Sequence, residues 1–205
     1  MTIISLKTGA AGERIELSDG SLFSFRVCYL PPEMSANNNI AEGKEINADE
    51  EEAFRFAAEC LKAEKAALRL IARAEQCGPG LTRKLEKRKF TAACAGAVIS
   101  RLSELKLVDD RRFARLWLES RLRLTRSPRR ILSSLCGHGI DREDAEAALK
   151  AVLDEETELA LLTRFVKKRS RKAIREVDEG ERSLKYLLKS EGFSPRAIRR
   201  FFDGE

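Results

Sequence analysis

The chain has 205 residues, 43% apolar and 35% charged, with a net charge of +6. That length holds one large or two small domains with an ordinary hydrophobic core, so no disulfide or metal staple is required. It lacks the apolar run of about 18 residues that a membrane span needs, the β-branched runs of a sheet protein and the basic-then-apolar start of a signal peptide, so a helix-rich cytoplasmic protein is expected.

In chain order, Thr2 to Lys7, Arg14 to Leu17 and Leu22 to Tyr29 have β character, separated by turn signals at Gly9 to Gly12 and Ser18-Asp19-Gly20. This predicts a hairpin or three-stranded meander over 1–32. Pro31-Pro32 ends it, and 33–46, with three consecutive asparagines and a glycine, reads as a linker. Residues 1–65 carry seven basic and twelve acidic side chains, whereas 66–205 carry 32 and 21, so the two parts are electrostatically distinct.

A helix is expected from Asn47 or Asp49 as cap, with Glu50, Glu51 and Glu52 favoured in its first turn by the helix dipole. Cys77-Gly78-Pro79-Gly80 ends it, and further helices follow over Leu81 to Lys87 and Thr91 to Leu105. The same three-helix pattern then recurs. Leu81, Leu85 and Phe90 match Ile131, Leu135 and Ile140 at an offset of 50, and Leu184, Leu188 and Phe193 another 53 residues on. Ser127 and Gly180 stand where N-caps belong, with Cys77 in that place in the first copy. Gly139 and Gly192 stand where a left-handed C-cap is needed, replaced once by Lys89. Thr91, Asp141 and Ser194-Pro195 open the third helices, and Asp141 with Asp144 resembles a capping box. The expected fold is mainly α: repeats over 47–108, 109–154 and 155–205 in an elongated, curved array, preceded by the β module.

The second copy holds the charge. Between Arg111 and Arg130, eight arginines (Arg111, Arg112, Arg115, Arg121, Arg123, Arg126, Arg129 and Arg130) stand against one acid, Glu119, so this block is +7 and the rest of the chain about neutral. At about 100° per residue, Phe113, Leu116, Trp117, Ser120 and Leu124 form the expected core stripe, with Arg111, Arg112, Arg115, Arg123 and Arg126 on the other side. Leu118 and Leu122 project toward the arginine side, and packing on a neighbouring repeat is expected of them. Lys167, Lys168, Arg169, Arg171 and Lys172 form a second basic cluster that extends the stripe. A localised cationic face suits a polyanion through counterion release, and arginine also suits the carboxylates of an acidic protein.

Catalytic chemistry finds little support. Asp109-Asp110 is more simply a cap, with Asp110 before Arg111 at the N-cap, than a catalytic pair. Gly78-Pro79-Gly80 lacks phosphate-loop spacing, and a triad would have to use His138, the one histidine. That residue, in Gly-His-Gly, reads as a solvated turn. Cys28, Cys60, Cys77, Cys94 and Cys136, odd in number and without a C-x-x-C pair, read as reduced core thiols. No metal or cofactor is expected.

Asp-Asp-Arg-Arg-Phe-Ala at 109–114, Trp117, Arg121, the series Pro128, Ile131, Leu135, Gly139-Ile140, and the tandem repeats together resemble the RecX family of regulatory proteins. The resemblance covers about residues 50–205 and, more loosely, the N-terminal module. Arg126-Ser127 and Lys89 depart from the family pattern, which has glycines there. The resemblance implies a non-enzymatic, monomeric modulator of the RecA recombinase in DNA repair, homologous recombination and the SOS response. Such a protein lies in the groove of the RecA–single-stranded-DNA filament and blocks its growth, ATP hydrolysis and strand exchange. The residues alone also admit a sequence-tolerant DNA-binding repeat protein that meets DNA phosphates directly. Operator reading is disfavoured, because the helix from Ser127 to Gly137 offers Arg129 and Arg130 but then Ile131, Leu132, Ser133 and Ser134.

Overall fold

The structure, a computed structural model, describes residues 1–10, 12–35, 40–124, 126–173 and 181–203, without the side chains of 170–173. Two compact units are present, Met1–Val108 and Asp109–Glu205.

The first unit opens with the meander form of the expected β module: β1 (Ile3–Gly9), β2 (Gly12–Leu17) and β3 (Leu22–Phe25), antiparallel in that order. Ile3, Ile15, Leu17 and Phe25 are buried on its inner face. Gly12 has φ of 121°, and a Cβ there would meet the Phe25 carbonyl oxygen at 2.3 Å, so only glycine fits this turn. The third strand stops short of its predicted end. Val27–Tyr29 is a 3-10 turn that carries Tyr29 into the interior. After α1 (Pro32–Ser35), the segment read as a linker returns along β1, where the Ile3 N–H donates to the Lys44 carbonyl at 2.9 Å and the Gly43 N–H to the Ile3 carbonyl at 2.8 Å.

α2 (Ala48–Ile71) begins with a full capping box: the Glu50 N–H donates to Asn47 Oδ1 at 2.8 Å and the Asn47 N–H to Glu50 Oε2 at 3.0 Å. Lys44 Nζ donates to the same carboxylate, and these bonds, that of Lys44 foremost, hold Glu50 below the usual carboxylate pKa. The inner face of α2, with Phe54, Ala57, Cys60 and Leu61, meets the sheet, α3 (Gly78–Glu86) and α4 (Ala92–Glu104). Phe25 and Phe54 pack with ring centroids 5.1 Å apart. Cys60, Cys77 and Cys94 are buried as expected, whereas Cys28 is exposed.

The second unit holds α5 (Asp110–Leu122), α6 (Pro128–Gly137), α7 (Arg142–Val152), α8 (Glu155–Ala173), α9 (Glu181–Ser190) and α10 (Pro195–Asp203). The matched apolar positions turn inward: Leu81, Leu85, Ile131, Leu135, Ile140, Leu188 and Phe193 are buried, and Phe90 and Leu184 half-buried. Lys89, Gly139 and Gly192 have φ of 71°, 94° and 86°, so the first repeat makes the same left-handed turn with a lysine. Gly180 lies outside the described residues.

Several local expectations need correction. The buried face of α5 is Phe113, Ala114, Leu118 and Leu122, while Leu116 and Leu124 are each 41% exposed. The helix is thus rotated by about a quarter turn from the predicted phase. A count of large apolar residues misses Ala114, and Arg121 lies half-buried along that face with its guanidinium 5.2 Å from the Trp117 ring. His138 is no solvated turn: it packs edge-on between Phe113 and Trp117, at centroid distances of 5.6 and 5.4 Å. Asp109, not Asp110, caps α5, accepting from the Arg112 N–H at 3.0 Å. Asp141 caps α7 with one bond, from the Glu143 N–H at 3.0 Å, instead of the two of a box. The buried Ser127 precedes α6, but its hydroxyl bonds the Glu191 carboxylate and not the helix.

Candidate functional site

The cationic block is built on α5 and the start of α6. With Asp109 fixing the first turn and Ala114, Leu118 and Leu122 fixing the inner face, the solvent-facing arc of α5 carries Arg111, Arg115, Leu116, Glu119 and Ser120, with half-buried Arg112 beside them. Arg123 and Arg126 stand exposed just past its end, and Arg129 and Arg130 on the first turn of α6. Glu119 approaches Arg115 to 3.9 Å, with both side chains more than half exposed. Such a pair contributes about 0.5 kcal/mol and leaves the positive field of the face almost intact.

Arg121 and Arg129 have structural duties. Arg121 turns inward against Trp117 and stands apart from the outward set. Arg129, though exposed, ties the second repeat to the third: its N–H donates to the Glu191 carbonyl at 3.0 Å and its Nη1 to the Ser190 carbonyl at 3.3 Å. In the second cluster, Lys167, Lys168 and Arg169 are exposed at the end of α8. The side chains of Arg171 and Lys172 lie outside the described residues.

Beside Arg111 and Arg115, α5 and α7 leave a cavity of about 280 Å3 floored by Ala114, Ala147, Ala148 and Ala151. Asp110 and Asp144 line it too, so its wall carries two carboxylates beside the two guanidiniums. Such an apolar socket with charges of both signs can seat an apolar side chain flanked by polar groups of a protein.

Residues outside the charged block, not marked by local pattern, hold the helices of each unit together. Arg164 of α8 reaches the end of α5, its Nη2 donating to the Leu122 carbonyl at 3.0 Å and its Nη1 to the Arg123 carbonyl at 3.3 Å, satisfying orphan carbonyls of a helix terminus. Glu158 of α8 is buried and grips the start of α10, accepting from the Ser194 N–H at 2.6 Å and hydroxyl at 2.7 Å. Glu59 of α2 does the same to Thr91 at the start of α4, accepting from its N–H at 2.8 Å and its hydroxyl at 3.1 Å. That shared placement, a carboxylate on the first helix of a repeat and a hydroxyl residue opening the third, was the signal available in the sequence.

Three-helix modules closed by left-handed turns, one of them strongly cationic, define a helical-repeat protein with a charged outer face. Residues 109–149 match the family model described as RecX, second three-helix domain. A regulatory protein RecX of Treponema pallidum is 35% identical over 146 residues, covering 71% of this chain and 86% of that protein. The chain belongs to the RecX family of regulatory proteins. The RecX of Caldanaerobacter subterraneus subsp. tengcongensis is 27% identical, covering 78% of this chain and 79% of its own. Among solved structures, a regulatory protein RecX superposes with a TM-score of 0.75 at 17% identity over 98% of both chains. RecX from Lactobacillus salivarius gives 0.57 at 21% identity, over 71% of this chain and 96% of its own. At those identities the superpositions speak for the fold. No helix among the described residues is long and apolar enough to cross a membrane.

Proposed function

We propose that this chain is a negative modulator of the RecA recombinase that binds in the groove of the RecA–single-stranded-DNA filament and restrains its extension, ATP hydrolysis and strand exchange, acting as a monomer in the cytoplasm without catalysing a reaction. Membership of the RecX family supports the class of partner. The observation that carries the reading is the outward arginine face of the second repeat: Arg111, Arg115, Arg123, Arg126 and Arg130 point to solvent, and only Glu119 opposes them on α5 after its first residue. Arg112 and the exposed Lys167, Lys168 and Arg169 extend the proposed contact surface. A nucleoprotein filament offers what such a face needs, phosphates for counterion release and protein carboxylates for bidentate arginine contact. The apolar socket beside Arg111 and Arg115 favours a protein component over bare DNA, because DNA phosphates have no use for it.

The test is RecA's single-stranded-DNA-dependent ATP hydrolysis with the chain added well below one copy per RecA. Suppression by the parent chain and its loss on joint Arg111→Ala, Arg115→Ala, Arg123→Ala and Arg126→Ala, with far-UV circular dichroism unchanged, is the expected result. Full suppression by the fourfold variant refutes the site. No suppression by the parent, together with tight binding to bare DNA, refutes the function and leaves a direct DNA-binding protein.

A further inference from the structure

Aligned on Leu81, Ile131 and Leu184, the second helices of the three repeats place Arg83, Ser133 and Tyr186 at one equivalent position, and all three are exposed. Packing therefore asks nothing of this position. The third repeat alone fills it with an aromatic ring, which is 78% exposed, the largest exposure of any large apolar side chain among the described residues.

Tyr186 lies opposite the packed side of α9, formed by buried Leu188 and half-buried Leu184 and Leu187. At 100° per residue, Arg182 and Lys189 fall within about 60° of it on the outer face, one turn before and just under one turn after. Both are exposed and have no ion pair among the described residues. Lys185, in contrast, is drawn aside, bonded to Glu181 and held 4.7 Å from the Phe202 ring of α10. The outer face of α9 is thus an open ring between two uncommitted cations.

We propose that this face of α9 is a contact for single-stranded nucleic acid, with one base stacked on Tyr186 and the flanking phosphates held by Arg182 and Lys189. An exposed ring beside cations is the chemistry of sequence-tolerant strand binding: every base has a face to stack, and every nucleotide a phosphate. Duplex DNA offers the cations its phosphates but keeps its bases stacked within the helix, so the ring selects for single strands. The contact extends the function proposed above by giving the third repeat a share of the strand itself. It is read on bare oligonucleotides and stands or falls apart from any effect on RecA.

The experiment is fluorescence anisotropy of labelled oligo(dT) and of a labelled duplex, each titrated with the full chain at two salt concentrations. Tyr186→Ala is expected to weaken oligo(dT) binding about tenfold or more, with an unchanged salt slope and unchanged duplex binding. Tyr186→Phe is expected to bind like the parent. Lys189→Ala is expected to weaken both ligands and lower the oligo(dT) salt slope by about 0.7. An unaltered affinity in Tyr186→Ala overturns the proposal, as does equal loss on both DNAs or failure of the parent chain to bind oligo(dT). Loss of RecA suppression in Tyr186→Ala with oligo(dT) affinity intact also overturns it, because the ring would then meet protein instead of a base.

Discussion

The two units use arginine in opposite ways. In the first, Arg26 and Arg101 turn inward to Glu64, which is 4% exposed: Arg26 Nε lies 3.0 Å and Arg101 Nε 3.7 Å from its oxygens, and the Tyr29 hydroxyl donates to it at 2.8 Å. The Arg101 guanidinium also lies 5.9 Å from the Tyr29 ring. In the second unit, α5 offers its arginines no buried carboxylate, and all but Arg121, which finds an aromatic face, remain at or near the surface. One residue type is thus drawn inward where a buried acid waits for it and stays at the surface where none does, available there for the contact proposed above.

The strongest way to break this comparison is to remove the acid from each unit. Glu64→Ala strands two guanidiniums and a buried phenol and is expected to destabilise the first unit by about 3 kcal/mol, the low end of the range for a broken buried pair. The low end applies because Arg26 and Arg101 remain 31% and 29% exposed. Glu119→Ala should change the second unit by less than about 0.5 kcal/mol. Urea unfolding midpoints read both, and equal losses would sink the distinction. Burial, then the bond to Glu64, pushes the Tyr29 pKa well above its usual 10. Its folded value exceeds its unfolded one, so this contribution is full below about pH 10 and declines as pH rises beyond it, a slope that Tyr29→Phe removes.

A smaller effect separates the two carboxylate grips. Glu158 is 8% exposed and uses both oxygens on Ser194, whereas the half-buried Glu59 uses one oxygen on Thr91. Glu158→Ala is expected to cost about 2 kcal/mol and Glu59→Ala about 1 kcal/mol. Trp117 is the chain's single tryptophan and lies in the second unit with Glu158, so its emission should report the loss in Glu158→Ala.

The repeat skeleton was legible in the sequence because it rests on period and punctuation: large apolar residues at a fixed offset and a left-handed position after each second helix. What stayed hidden depends on atoms that a polarity count assigns to the wrong solvent. Ala114 is too small to mark a core face, and the stem of Arg121 lies along that face while its charge suggests water. His138 looked like turn chemistry because its ring partners, Phe113 and Trp117, lie a helix earlier. The α5 arginines were legible as a charged block, yet division of that block into outward Arg115 and inward Arg121 required the helix phase. Glu59 and Glu158 lie 32 and 36 residues from the backbone groups they hold, beyond the reach of local pattern reading.

The smallest prediction concerns the one turn at which the repeats disagree. Lys89 carries a side chain at φ of 71°, where Gly139 and Gly192 carry none. A non-glycine residue there costs about 1–2 kcal/mol, while glycine adds unfolded-chain entropy that removes about 0.4–1 kcal/mol of stability. Lys89→Gly should therefore stabilise the first unit by roughly 0.5 kcal/mol, a modest rise in urea midpoint. The converse changes are not symmetrical. Lys89 is exposed, whereas a Cβ at Gly192 would stand 3.3 Å from the Arg129 backbone nitrogen. Gly192→Ala then meets both left-handed strain and the junction of the second and third repeats, and should cost about 1–2 kcal/mol. Were Lys89→Gly to destabilise the chain while Gly192→Ala did not, the turn would owe its shape to the lysine side chain and not to the backbone.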